Sequence, residues 1–254
     1  MAFAPLPNPI MVFDIETMPD LVTAKRLYPD LVALDDKDAI TALQAIRREE
    51  AGNEFMRLPL HEVACLSFLW VENGNFILKT LSQETMSEAE ILATFMRAFA
   101  KNPTLVSWNG AGFDLPVLLY RLTHHGMDGS SLIGHGKSQY LGKYAGKHLD
   151  LMEKFSFESY GNKHKLDVLA SLCGLAGKGG TEGSQVVSMV QDKQWQELQT
   201  YCESDVMNTW FVYLRYLLLT GQSPALVDNL TTQSKNFLAT QLNDDGTVRH
   251  QAFL

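Results

Sequence analysis

Three observations predict an α/β fold in which an antiparallel meander leads into alternating helices and strands. Residues 61–71 and 75–81 are strand-like apolar runs flanking Glu72-Asn73-Gly74, which carries the Asn-Gly signal of a tight hairpin. Beyond residue 87 the apolar spacing lengthens to the helical period. Ser87-Glu88-Ala89-Glu90 is a capping box, and Ile91, Leu92, Phe95, Met96 and Phe99 form one stripe behind it. Strand and helix signals then alternate, the order expected of parallel strands joined by helices.

Taken in order, the apolar run over 10–15 is the first strand, and a helix over 38–50 carries Ile40, Leu43 and Ile46 on one face. The hairpin supplies the second and third strands. The capped helix ends near Asn102-Pro103, since proline cannot continue it. Residues 104–108 form the fourth strand and 115–125 a helix, with Asp114 ahead of Leu115-Pro116 fitting a helix start. The fifth strand is placed at 147–151, with Asp150 at its end as either a helix cap or a supporting acid. Leu166, Leu169, Ala170 and Leu172 mark a further helix, and 194–220 a long one whose Trp210, Phe211, Tyr213, Leu214 and Leu217 read as core.

Three distant segments are acidic where packed elements are expected. Asp14 and Glu16 are two apart at the end of the first strand, so both carboxylates point to one face. Such neighbours repel and lose hydration unless a strong cation sits between them, and hard oxygen ligands suit Mg²⁺ or Mn²⁺. Asp114 closes the Gly-rich stretch Asn109-Gly110-Ala111-Gly112-Phe113, which by itself reads equally as a loop with a capping aspartate. Tyr201 and Asp205 are four apart on one helical face, a spacing that is also ordinary on a helix surface. Their joint occurrence points to a two-metal nuclease site.

Phe13-Asp14-Ile15-Glu16-Thr17, Ser107-Trp108-Asn109-Gly110 through Phe113-Asp114-Leu115-Pro116, Lys165-Leu166-Asp167 and Tyr201-Cys202-Glu203-Ser204-Asp205-Val206 resemble the motifs of the DEDD 3′–5′ exonucleases of the RNase H-like (DnaQ-like) superfamily. The Tyr-x-x-x-Asp form resembles the tyrosine branch, DEDDy. The whole set, spanning about 9–221, is similar to a stand-alone family related to the proofreading exonuclease domain of family-B DNA polymerases. The resemblance implies an RNase H-like fold, a mixed five-stranded sheet (antiparallel meander plus parallel strands) flanked by helices, and two-metal hydrolysis of a phosphodiester. In that scheme Asp14 bridges both ions, Glu16 and Asp205 complete the nucleophile-side ion, and Asp114 holds the leaving-group side. Tyr201 would orient the attacking water, because a tyrosine hydroxyl, with an ordinary pKa of about 10, is a poor base at neutral pH. A histidine branch would place His at position 200, where this chain has Thr200.

Thr17, Asn109 and Phe113 are the candidate contacts to the terminal nucleotide, Phe113 by stacking on a base or, alternatively, as the buried anchor of its loop. The implied partner is single-stranded DNA with a free 3′ end. The alternatives are an RNase D type exoribonuclease and a non-catalytic nucleic-acid-binding module. Retention of all four carboxylates argues against the module, whereas DNA and RNA differ in 2′-hydroxyl contacts that motifs do not encode.

With 254 residues and 46% hydrophobic content, the chain can bury a full core. One exonuclease domain over 1–254 is expected, with a core of about 9–221, insertions at about 18–60 and 126–147, and a C-terminal extension at 222–254. The first insertion reads as a lid or as a helix packed on the sheet's flank. No run of 18 apolar residues and no signal peptide is present, which predicts a cytoplasmic protein with no membrane partner. Cys65, Cys173 and Cys202 have neither CxxC spacing nor an even count, so zinc and disulfide readings are both poor and all three are expected as reduced core residues.

The net charge of −8 is unusual for a nucleic-acid enzyme and implies weak, salt-sensitive binding. Charge is uneven, however. Residues 121–178 hold eight Lys/Arg against five Asp/Glu, a local +3 that leaves −11 elsewhere. This stretch, including Lys137, Lys143 and Lys147 of the second insertion, reads as a cationic track or as a solvated loop.

Overall fold

The computed structural model describes residues 6–134, 139–141, 145–157, 159–177 and 183–254, apart from the side chains of Tyr160 and Ser184. Strand β1 (Ile10–Pro19) leads to helices α1 (Leu21–Leu27) and α2 (Asp36–Ala51), then to the hairpin of β2 (His61–Glu72) and β3 (Asn75–Ser82). Helix α3 (Glu88–Ala98), β4 (Thr104–Ser107), α4 (Asp114–His124) and the single turn α5 (Ser130–Ile133) follow. The chain continues through β5 (His148–Asp150), α6 (Leu151–Phe155), α7 (Leu166–Leu172), α8 (Val186–Gln191), the long α9 (Trp195–Leu219) and α10 (Pro224–Leu238). The sheet order is β3-β2-β1-β4-β5, with β3, β2 and β1 antiparallel and β1, β4 and β5 parallel. This is the mixed five-stranded α/β sheet read from the sequence.

Alternation along β1 decides what each face carries. Ile10 and Val12 pack with Leu69, Val106 and the α9 residues Val206 and Trp210, whereas Met11, Phe13 and Ile15 pack with Phe95 of α3 and Leu115 of α4. Asp14 and Glu16 therefore continue the face that lies under α9. At the hairpin, Asn73 and Gly74 both take positive φ, 52° and 78°, the backbone that a two-residue primed turn requires.

Several predicted boundaries move. β1 runs on to Pro19 because β2 pairs it throughout, with a bulge where Glu16 faces Cys65 and Thr17 faces Val63, leaving Ala64 as the extra residue. Helix α2 buries Ala39 and Leu43, while Ile40 is only half-buried. Leu172, one of the four apolar residues that mark α7, is 79% exposed. The short helix α1, capped by Asp20 accepting from the Thr23 amide, carried too weak an apolar period to predict, as did α8. Helix α10 begins with Pro224 and packs on α9, where Trp210 Nε1 donates to Ser234 Oγ at 2.7 Å.

The 18–60 segment has its own small core of Ala24, Leu31, Leu43, Met56 and Leu60. It is tied to the main body by the buried Arg121, which donates to Asp20 Oδ2 at 2.5 Å and to both oxygens of Glu88 at 2.8 and 2.6 Å. Burial alone would raise the Asp20 carboxyl, but the Thr23 and Arg121 donors hold it below its ordinary value. In the second insertion, Lys137 and Lys143 lie outside the described residues. Lys147 donates to the Asn102 carbonyl at 2.8 Å, beside the amino-terminal end of β4 and away from the carboxylates. Among the described residues, no helix is long and apolar enough to cross a membrane.

Candidate active site

Four carboxylates from three distant segments meet where the middle of β1 runs past the carboxyl end of β4. Ligand atoms of Asp14, Glu16 and Cys202 lie within 4.8 Å of one another. Where β4 stops pairing β1, the Ile15 amide donates instead to Asp114 Oδ1 at 3.2 Å, which fixes Asp114 between the two acids of β1. Asp114 is thus the first residue of α4, and its carboxylate reaches across to β1 where a capping role had been the local reading. Asp205, one helical turn beyond Cys202 on α9, is 4% exposed and close enough to Asp114 to repel it.

Asp114 is the group most altered by this setting. Burial pushes its carboxyl up, its own amide and that of Ile15 oppose the rise, and the charges of Asp150 and Asp205 add to it, leaving a pKa of about 7. A buried acid that holds its proton near neutrality is what clustered carboxylates give before a cation arrives. The oxygen-rich set of Asp14, Glu16, Asp114 and Asp205 suits a hard divalent ion. Cys202 does not alter that preference. Burial, the adjacent Cys65 and the charges of Asp14 and Glu16 keep its thiol well above its ordinary pKa, and Sγ donates to the Asp14 carbonyl at 3.5 Å.

The loop that delivers Asp114 is shaped by Asp150. This buried carboxylate accepts from the amides of Asn109 at 3.0 Å and Ala111 at 2.9 Å while also capping α6 through the Met152 amide at 3.0 Å. Asn109 takes φ 64°, and a Cβ on Gly110 would sit 2.4 Å from Ser107 Oγ, so the turn needs glycine there. The Asn109 amide oxygen packs against Gly112, which makes Asn109 a turn-forming residue in this loop. Tyr201 lies one turn before Asp205, its ring buried among Ala64, Val186 and Leu198. Its neighbour Glu203 points elsewhere, accepting from Thr80 at 2.6 Å and His250 at 2.8 Å, and so docks the C-terminal segment.

Beside the carboxylates lies a cleft of about 520 Å³ lined by Glu16, Thr17, Phe55, His61, Phe113 and Lys165. Burial lowers the His61 pKa to about 4, so the ring is neutral. The Met56 carbonyl, 3.3 Å from Nε2, can only accept, which puts the proton on Nε2. Nδ1 is then an acceptor for the Thr17 hydroxyl at 2.8 Å, leaving the Thr17 oxygen with lone pairs for a ligand donor. Phe113 both packs on the core and stands edge-on to His61 at 5.1 Å.

Residues 53–254 match a protein family described as a predicted 3′–5′ exonuclease related to the exonuclease domain of PolB. The chain belongs to this exonuclease family. The match begins after β1, so Asp14 and Glu16 precede the matched residues. Among solved structures, the family B DNA polymerase from the hyperthermophilic archaeon Pyrobaculum calidifontis is similar with a TM-score of 0.57 at 17% identity. That likeness covers 100% of this chain and 28% of the polymerase, and it carries the fold alone. No curated protein matches.

Within this exonuclease family's fold, sequence reading assigned no role to Phe55 or His61 and left that of Asp150 open. Phe55 and His61 carry no local signal, because only the path of the 18–60 segment into the start of β2 brings them to the cleft. Lys165 was legible as part of Lys165-Leu166-Asp167, but only the fold brings it to the cleft.

Proposed function

We propose that this chain is a divalent-cation-dependent 3′–5′ exonuclease of the DEDDy type that removes nucleotides from single-stranded nucleic acid, DNA in the first instance. The observation that carries the reading is the meeting of Asp14 and Glu16 on β1, Asp114 at the start of α4 and Asp205 on α9, with Tyr201 one turn before the last. Asp14, Glu16, Asp114 and Asp205 would hold two ions, Mg²⁺ or Mn²⁺. Bound there, the ions supply a hydroxide nucleophile and neutralise charge on the departing oxygen.

The remaining side chains bind and orient. Tyr201 positions the attacking water through its hydroxyl. Thr17, its proton committed to His61, accepts from the free 3′-hydroxyl of the terminal nucleotide. Phe113 presents an aromatic edge to the base, and Lys165, lining the same cleft, meets the phosphate backbone. Asn109 acts indirectly by shaping the loop that presents Phe113 and Asp114. The requirement for a free single strand follows from the cost of unstacking a paired terminus.

Digestion of 5′-labelled single-stranded DNA and RNA of one sequence, side by side with Mg²⁺ or Mn²⁺ and with chelator, tests this reading. Cation-dependent shortening, faster on DNA, is expected. Faster removal from RNA would assign the RNase D type activity, and no shortening of either strand would overturn the enzyme reading.

A further inference from the structure

We infer that Phe55, on the segment joining α2 to β2, stacks on the base of the substrate's terminal nucleotide and so sets affinity at that subsite; this rests on the exonuclease reading above. The ring is 56% exposed at the cleft beside Glu16 and Thr17, an unusual position for phenylalanine. It is also held there. The Phe55 amide donates to Asn53 Oδ1 at 3.0 Å, and its carbonyl accepts from Arg47 Nε at 3.0 Å, with Arg47 paired to Glu50. The described side-chain ring contacts are to other rings of the same wall: His61 at 5.2 Å and Phe113 at 5.7 Å, both tilted.

A backbone clamped on both sides presents the ring without the ordering cost that a mobile loop would incur on binding. The cleft's volume of about 520 Å³ falls in the range that small-molecule sites occupy. Its chemistry joins an aromatic wall, one lysine and a carboxylate edge, which matches a planar base joined to a phosphate. The segment read from the sequence as lid or flank thereby becomes a fixed wall of the substrate site.

The test compares wild type with Phe55→Ala, Phe55→Leu and Phe55→Trp on a labelled oligothymidylate, with either a normal or an abasic 3′-terminal nucleotide. Binding is read by fluorescence anisotropy in an Asp205→Ala background, and KM and kcat are read in Mg²⁺. Stacking predicts about tenfold weaker binding and a matching rise in KM for the alanine and leucine variants, with kcat within about twofold and tryptophan near wild type. The abasic end should cost wild type about tenfold more than it costs Phe55→Ala, in which only the Phe113 contact to the base remains to be lost. Wild-type binding by Phe55→Leu, or an undiminished abasic penalty in Phe55→Ala, overturns the inference. Normal wild-type degradation in that case leaves the exonuclease reading standing, whereas a wild type that neither binds nor shortens the strand removes both. Thermal melts that coincide with wild type exclude misfolding as the cause.

Discussion

Asp114 shows how one residue depends on partners from across the chain. Its backbone starts α4, its carboxylate is anchored by the Ile15 amide of β1, and burial with the charges of Asp150 and Asp205 brings its pKa to about 7. Removing a neighbouring charge should therefore relieve repulsion in the ion-free protein. Asp14→Ala and Asp205→Ala are each expected to abolish cation-dependent cleavage while leaving the melting temperature in chelator unchanged or raised. Calorimetry beside a nuclease assay checks this, and normal turnover by either variant would remove the site from contention. Tyr201→Phe keeps the buried ring and loses only the hydroxyl, so kcat should fall roughly tenfold to a hundredfold with cation affinity retained. Loss of cation binding, measured by titration calorimetry, would contradict a water-positioning role. The carboxylates were legible because acids two apart on an apolar strand need an electrostatic reason. The Asp150 contacts to the 109–111 amides were not, since capping and loop-holding look alike until the loop's path is known.

At the scale of elements, the 18–60 insertion is attached through the buried trio of Asp20, Arg121 and Glu88. Asp20 has a folded pKa below its ordinary 3.8, so its contribution to stability is present above about pH 4 and is lost as pH falls through the lower folded value. Asp20→Asn should lower stability by roughly 2 kcal/mol at neutral pH, with the gap to wild type closing in acid. Urea unfolding at several pH values measures it, and a gap independent of pH would show that the charge is not the stabilising feature. The hairpin, the capped α3 and the long α9 were readable from local signals: Asn73-Gly74, the Ser87/Glu90 box and an apolar stripe. α1 and α8, of seven and six residues, are stabilised by packing more than by their own period, and the sequence pattern is correspondingly faint.

For the whole molecule, a net charge of −8 leaves strand binding to local cations. Lys165 is the only lysine or arginine lining the cleft among the described residues, whereas Lys147 is turned to Asn102. Lys165→Ala should raise KM and flatten the log–log salt dependence of single-strand binding by about 0.7, with Lys147→Ala changing neither. Equal effects from both would restore the cationic track read from composition. Charge counted along a sequence does not say which end of a sheet it occupies, so Lys147 beside the start of β4 could not be told from Lys165 at the cleft. The central claim, that this acidic cluster degrades a strand from its 3′ end, is tested most directly on a 5′-labelled single-stranded oligonucleotide with its 3′ end free or bulkily blocked, beside a circular strand, each with wild type and Asp205→Ala in Mg²⁺. The account predicts a one-nucleotide ladder from the free end alone, absent with the block, the circle and the variant. Cutting of the circle, or a ladder that survives Asp205→Ala, would contradict it.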